Sequence, residues 1–356
     1  MTTKIENLRI TDMQELISPD ELAAKLPSND LASKTVLDSR ADIKKVLRGA
    51  DDRLIVVVGP CSIHDTKAAL DYAERLKPLR DELAGELEVV MRVYFEKPRT
   101  ISGWKGLVND PRLDGSFRIN EGLEMARKLL LDINQMGLPV GTEFLDTAVP
   151  QYLSDLMAWA AIGARTTESQ IHREMASGLS CPVGFKNGTR GNVQIAIDAV
   201  RSSAHPHHFM ALAKNGRAAI AATSGNPDCH LILRGGSGTN YDAGSVDAAC
   251  NKAEQDGIRG HVMIDASHAN SDKDPAKQPL VLQDVGEQLR AGEQRITGVM
   301  IESHLVAGRQ DLGKGELTYG QSITDGCIGW GDTVTELRKL AEAVKQRRAL
   351  PAQMAG

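Results

Sequence analysis

Short apolar runs rich in β-branched residues alternate along the chain with segments whose apolar positions recur every three or four residues. The runs are 54–59 (LIVVVG), 88–95 (EVVMRVYF), 139–144 (PVGTEF), 160–165 (AAIGAR), 182–186 (PVGFK), 230–235 (HLILRG), 261–266 (HVMIDA) and 297–302 (TGVMIE). Continuous apolar character suits strands covered on both faces, as in a parallel sheet. Among the intervening segments, 120–137 places Leu123, Ala126, Leu129, Leu130 and Ile133 on one helical stripe, and Gly137 stands where that helix would end. Eight such units over about 250 residues match the size of an α/β fold of the TIM (β/α)8 barrel type. A doubly wound sheet shares the local pattern, because alternation does not show whether a sheet closes.

Other pieces interrupt the eightfold pattern. Residues 207–223 (HHFMALAKNGRAAIAAT) hold two strand-like runs around Asn215-Gly216, which predicts an inserted β-hairpin. Residues 1–47 form an N-terminal extension to a barrel domain at 48–350. In the extension Ser18-Pro19-Asp20-Glu21 has capping-box spacing, and Thr333 with Glu336 repeats that spacing ahead of the last helix. Asp65 reads as a helix cap.

Composition narrows the class. The 356 residues carry a net charge of −5, so no global field draws the chain to nucleic acid or membranes. MTTKIENLRI has no apolar core of a signal peptide, and no run approaches the ~18 apolar residues of a membrane span. The five cysteines (Cys61, Cys181, Cys229, Cys250 and Cys327) are odd in number and widely spaced. Reduced thiols in a cytoplasmic enzyme are therefore expected.

Nearly every strand run ends in something polar: Cys61, Arg92 with Lys97 and Arg99, Glu143, Arg165, Lys186, Arg234, His268 and Glu302. In a barrel these ends converge on one mouth. Six cations gathered there imply an anionic ligand, and so many suggest more than one phosphate or carboxylate. Cys61, His268 and Glu302 offer S, N and O donors that suit one divalent metal, Mn, Fe, Co or Zn, better than Mg or Ca. Cys61 with His64 could instead be a nucleophile and its base. His205, His207 and His208 lack an acidic or thiol partner and are not read as ligands.

The motifs GPCSIHD (59–65), MRVYFEKPRT (91–100), GWKGLVNDP (103–111), IGARTTESQIHREMASGLSCPVGFKNGT (162–189), LRGG (233–236), SHAN (267–270), IESHL (301–305) and YGQSITDGCIGW (319–330) resemble the microbial aromatic-amino-acid-regulated DAHP synthases. DAHP is 3-deoxy-D-arabino-heptulosonate 7-phosphate. The resemblance implies condensation of phosphoenolpyruvate with erythrose 4-phosphate, the first step of the shikimate pathway. It implies metal ligands Cys61, His268, Glu302 and Asp325. Arg92, Lys97, Ala164, Arg165, Lys186 and Arg234 match the phosphoenolpyruvate site; Arg99 and Thr100 match the sugar-phosphate site. Lys97 is the candidate proton donor, with His268 competing, and Glu143 would orient Lys186 or the attacking water. KPRT at 97–100 favours the four-carbon sugar over the arabinose 5-phosphate used by 3-deoxy-octulosonate 8-phosphate synthases. A degenerate barrel that only senses ligands is the alternative outside catalysis.

The resemblance also implies a feedback pocket for an aromatic amino acid, built in a homodimer or homotetramer from Glu6, Asn7, Gln151, Ser180, Phe209 and Asn215. Asn7, Thr147 and Asn215 depart from the phenylalanine-sensitive pattern. Two departures lie nearer the mouth: Arg190 stands where Asp is common, and Ser237-Gly238-Thr239-Asn240-Tyr241 replaces a Lys-x-Pro-Asn-Tyr loop. Cys327, two residues past Asp325, is expected to pair with Cys61 if a bound metal is lost.

Overall fold

The computed structural model describes residues 5–313 and 315–350. The first four residues of the expected extension, which open MTTKIENLRI, lie outside that range. Helices α1 (Pro19–Lys25) and α2 (Asp30–Leu47) precede strand β1 (Leu54–Gly59). Then come α3 (Thr66–Glu82), β2 (Leu87–Arg92), α4 (Ile119–Gln135), β3 (Val140–Glu143), α5 (Val149–Leu153), β4 (Trp159–Ile162), α6 (Gln170–Gly178), β5 (Val183–Lys186) and α7 (Gln194–Ser203). The hairpin β6 (His208–Leu212) and β7 (Ala218–Ala222) follows. The chain closes with β8 (Cys229–Leu233), α8 (Ala243–Gln255), β9 (Val262–Asp265), α9 (Gln278–Arg290), β10 (Ile296–Glu302) and α10 (Trp330–Arg348).

Eight parallel strands close into a barrel in the order β1-β10-β9-β8-β5-β4-β3-β2, and β6 pairs only with β7. Closure runs through β1, where Val57 is paired with Met300 on one side and Val90 on the other. The barrel is therefore the architecture, not the open sheet. Every strand of the barrel is buried along its length. Several end earlier than the apolar runs: β2 stops at Arg92 and β4 at Ile162, so Lys97 and Arg165 sit on the loops beyond.

The floor of the barrel is sealed by α2. Its Ile43, Val46 and Leu47 pack in one buried cluster with Ile55, Val57, Val90, Trp159, Ile232, Met263 and Met300. A helix expected to belong to an extension thus completes the barrel interior with its last turn, while its earlier part lies against α4, where Thr35 donates to the Asn134 carbonyl at 2.9 Å.

Local signals acted as their chemistry requires in two of three cases. Ser18 caps α1 in a full capping box, and Asp65 caps α3 by accepting from the Lys67 and Ala68 amides. Thr333 is no cap. Helix α10 starts four residues earlier, after Gly329, so Thr333 lies in its first turn and donates to the Gly329 carbonyl at 2.9 Å. At that earlier start Trp330 packs edge-on against Tyr72, with ring centroids 5.4 Å apart.

Candidate active site

The mouth is organised where β1 leaves the barrel. Gly59 has φ +153°, and a Cβ there would sit 2.8 Å from the Arg92 carbonyl, so only glycine lets the chain turn this close to β2. The turn buries Cys61 and aims its carbonyl at two cations. Arg92 donates to the carbonyls of Pro60 (3.1 Å) and Cys61 (3.3 Å) and to Glu302 Oε1 (3.0 Å), with its guanidinium 3.5 Å over the Tyr94 ring. Lys97 Nζ lies 3.1 Å from Cys61 Sγ. From the far side, Asp325 Oδ2 comes to 3.8 Å of the same sulfur. A hydroxyl contact between Ser62 and Thr324, at 2.7 Å, pins that segment against β1.

Donor atoms of Cys61, Glu302 and Asp325 all lie within 4.8 Å of one another. Burial pushes the Cys61 thiol up, Glu302 adds to the effect, and Lys97 opposes it. Burial would raise Asp325 too, but Lys97 and His268 outweigh it and hold the carboxyl below its ordinary value. A thiol and two carboxylates facing one point repel when all are ionised, and a cation relieves that. The donor chemistry fits a borderline divalent metal.

His268 is not within this three-donor group. It lines a small cavity with Glu302, Asp325 and Lys273, but its Nδ1 faces Asp265 Oδ2 at 2.9 Å and Ser267 Oγ at 2.7 Å. Asp265, fully buried at the end of β9, also pairs with Lys186 Nζ at 3.1 Å. The partner of Lys186 is thus Asp265. Glu143 instead sits against Gly163, where an added Cβ would meet its Oε1 at 2.4 Å. Sequence reasoning passed over Asp265 because it read HVMIDA as interior strand; the signal was an acid at the strand's last position.

The remaining cations grade from buried to exposed. Arg234 is buried, with its amide held by Asn187 Oδ1 at 2.8 Å. Ala164 is half-buried beside Gly163. Arg165 is exposed and donates to the Pro98 carbonyl at 2.9 Å; Arg99 is exposed and donates to the Trp104 carbonyl at 2.8 Å. Thr100 is exposed beside it. The two departures near the mouth touch each other: the Arg190 carbonyl accepts from both the amide and the hydroxyl of Ser237, each at 3.3 Å. Gly236 packs so closely on Arg190 and Gly191 that a Cβ would fall 2.1 Å from the Gly191 nitrogen. One change at either position therefore bears on the other.

His207 Nε2 is engaged by the Ser202 carbonyl at 2.8 Å, while His205 and His208 are exposed. His64 stands edge-on to His304, with ring centroids 6.5 Å apart; the side-chain neighbours recorded for Cys61 are Lys97 and Asp325. All five cysteines are free thiols. Of the expected effector residues, the structure draws Gln151 to the hairpin turn, because Lys214, next to Asn215, donates to the Gln151 carbonyl. The Lys214 carbonyl in turn accepts from the Asp20 amide at 2.8 Å. Glu6 and Asn7 are exposed on the arm before α1, Ser180 is exposed after α6, and Phe209 is half-buried on β6.

A closed parallel barrel whose C-terminal mouth sets buried cations beside a thiol–carboxylate donor group belongs to the class of (β/α)8 enzymes that act on anionic substrates. Within that class, the model of the DAHP synthetase I family matches residues 29–338, and the chain belongs to that family. It is 58% identical over 349 residues to the Phe-sensitive phospho-2-dehydro-3-deoxyheptonate aldolase of Escherichia coli K12, covering 98% of this chain and 100% of that one. It is 52% identical over 345 residues to the Trp-sensitive enzyme of the same strain, covering 97% and 99%. A solved structure of the Francisella tularensis SCHU S4 aldolase superposes with a TM-score of 0.94 at 52% identity, over 95% of this chain and 99% of that one. Among the described residues no helix is long and apolar enough to cross a membrane.

Proposed function

We propose that the protein condenses phosphoenolpyruvate with erythrose 4-phosphate to give DAHP and inorganic phosphate, under feedback by an aromatic amino acid. The observation that carries this is the convergence of Arg92, Lys97, Lys186 and Arg234 with Cys61, Glu302 and Asp325 at one mouth.

Cys61, Glu302 and Asp325 would hold one divalent transition metal, with His268 completing the set; when bound, it supplies a Lewis acid for the sugar aldehyde. Arg92, Lys186 and Arg234 bind the enol phosphate and its carboxylate from the strand ends. Lys97, Ala164 and Arg165 complete that site from the loops above, and Arg99 and Thr100 receive the sugar phosphate, with Lys97 between the two substrates. Holding two repelling anions in line is the main entropic help available. Carbon 3 of phosphoenolpyruvate forms the new bond to the aldehyde carbon, and the aldehyde oxygen takes a proton that Lys97 is placed to deliver. Water adds at carbon 2, Glu143 orients it, and the phosphate leaves with the bridging oxygen. Lys186, paired with Asp265, faces the negative charge that gathers at that centre.

Effector binding at Gln151, Asn215 and their neighbours, in a homodimer or homotetramer, draws support from the exposed outer face of the hairpin, where Met210 and Ile220 are 91% and 81% exposed and cross-strand partners. The names of the relatives support an aromatic effector. The test is loss of phosphoenolpyruvate in the presence of erythrose 4-phosphate, with chelator-treated protein, with and without manganese, and with each aromatic amino acid added in turn. Turnover restored by metal and suppressed by one amino acid is expected. No turnover with any divalent metal overturns the catalytic reading, and turnover indifferent to all three amino acids overturns the feedback.

A further inference from the structure

Beneath the loop that carries Lys97, Arg99 and Thr100 lies a carboxyl group with no assigned role. Glu96 is buried, and its two oxygens accept from the backbone amides of Asp146 (3.0 Å) and Leu145 (3.3 Å) in the segment leaving β3. The other side of the same stretch is clamped as well. The Lys97 amide donates to the Lys105 carbonyl at 2.8 Å, and Gly106 packs so tightly that a Cβ there would lie 2.8 Å from the Glu96 Cα. The receiving segment is itself fixed, because His172 Nε2 bonds the Leu145 carbonyl at 2.8 Å.

We propose that Glu96 is a positioning residue for the reaction: its carboxyl ties the start of the 97–100 loop to the backbone leaving β3 and so sets where Arg99 and Thr100 meet the sugar phosphate. This rests on the function proposed above. Arg92 and Lys186 are on strands and Arg234 directly follows one, so most of the phosphoenolpyruvate site does not depend on this tie; only Lys97, on the loop, and Arg165, which donates to the Pro98 carbonyl, lean on it. A carboxyl is the group the site requires. Two inward-pointing amides need two acceptors; both oxygens of a carboxyl keep lone pairs even when one carries a proton, whereas glutamine offers one acceptor with an NH2 aimed at the second amide.

The experiment compares parent, Glu96→Gln and Glu96→Ala in steady-state kinetics with manganese, varying each substrate separately, alongside hydrogen exchange at Leu145 and Asp146. With Glu96→Gln, about the same size as the parent side chain, we expect kcat/KM for erythrose 4-phosphate to fall about tenfold or more, as small misplacements of reacting groups do. KM for phosphoenolpyruvate should rise several-fold less than that for erythrose 4-phosphate, because only Lys97 and Arg165 of its site lean on the loop, and exchange at the two amides should accelerate. Glu96→Ala should deepen the same split. Parent-like constants for Glu96→Gln despite faster exchange would overturn the proposal. An equal loss toward both substrates, following the melting temperature, would overturn it as well. An inactive parent would instead sink the reaction assignment on which it rests.

Discussion

Asp265 answers two opposite needs at once. It neutralises Lys186, which would otherwise be a cation buried without a partner, and it fixes the His268 ring through Nδ1. Replacing it with Asn keeps the shape and removes the charge. Breaking a buried pair on one side costs about 3–5 kcal/mol, so Asp265→Asn should lower the unfolding free energy by that order, read from urea denaturation, and reduce turnover sharply. A variant with parent-like stability would show that Lys186 has another counter-ion. Gly163 makes a steric case: Gly163→Ala drives a methyl into Glu143, and turnover should drop while the fold melts within a few degrees of the parent. Glu96 provides a pH signature. Burial pushes its carboxyl up to about 8, against the pull of the Asp146 and Leu145 amides. The folded value lies above the unfolded one, so between about pH 4.5 and 8 the native state holds a proton that the unfolded chain has lost. Its contribution to stability therefore falls as pH rises through that window, and Glu96→Gln should flatten the decline relative to the parent. The cation set and Cys61 were readable one by one, because polar residues stood where buried strands ended. Asp265 was not, since nothing in its neighbours shows that a lysine on β5 and a histidine past β9 reach the same carboxylate.

Elements follow local chemistry until a stronger contact intervenes. Asp65 caps α3 directly after the Cys61 turn, and Asp65→Ala should cost about 1 kcal/mol of unfolding free energy with substrate KM values unchanged. A rise in KM would mean that the cap also holds the Cys61 turn in place. The Thr333 box failed for a physical reason: a cap signal worth about 1 kcal/mol competes with the buried edge of Trp330 on Tyr72, and the aromatic contact extends the helix backward. The hairpin was legible from Asn215-Gly216, and its register pairs Phe209 with Ala221 on one face and Met210 with Ile220 on the other. Which face meets another element is not written in the alternation, because both strands carry apolar residues on both sides.

Across the whole molecule, the buried His230 and His304 and the half-buried His261 set the acid limit. Burial pulls His230 down to about 3, and His261 and His304 to about 4. Their folded values lie below the unfolded one, so the native state stays neutral where the unfolded chain takes up protons. This stability is complete above pH 6.5 and is lost as pH falls toward 4. Denaturant midpoints should decline steeply below pH 6.5, with about three protons bound on unfolding; a flat profile down to pH 5 would contradict the burial of these rings. The same scale explains why α2 cannot be spared. Ile43→Ala opens the barrel floor and should destabilise by about 2–5 kcal/mol, read as a shift of the whole cooperative transition.

The order of strands and helices, the hairpin and the cations at the strand ends were determined by the sequence alone, because burial periodicity, turn residues and capping act over a few neighbouring positions. Closure of the sheet, the floor sealed by α2, and the meeting of Cys61 with Asp325 across the 322–327 segment were decided only in three dimensions. So were the double duty of Asp265 and the contact between Arg190 and Ser237. Each depends on residues far apart in the chain finding one another through packing, and no local pattern records which partners will meet.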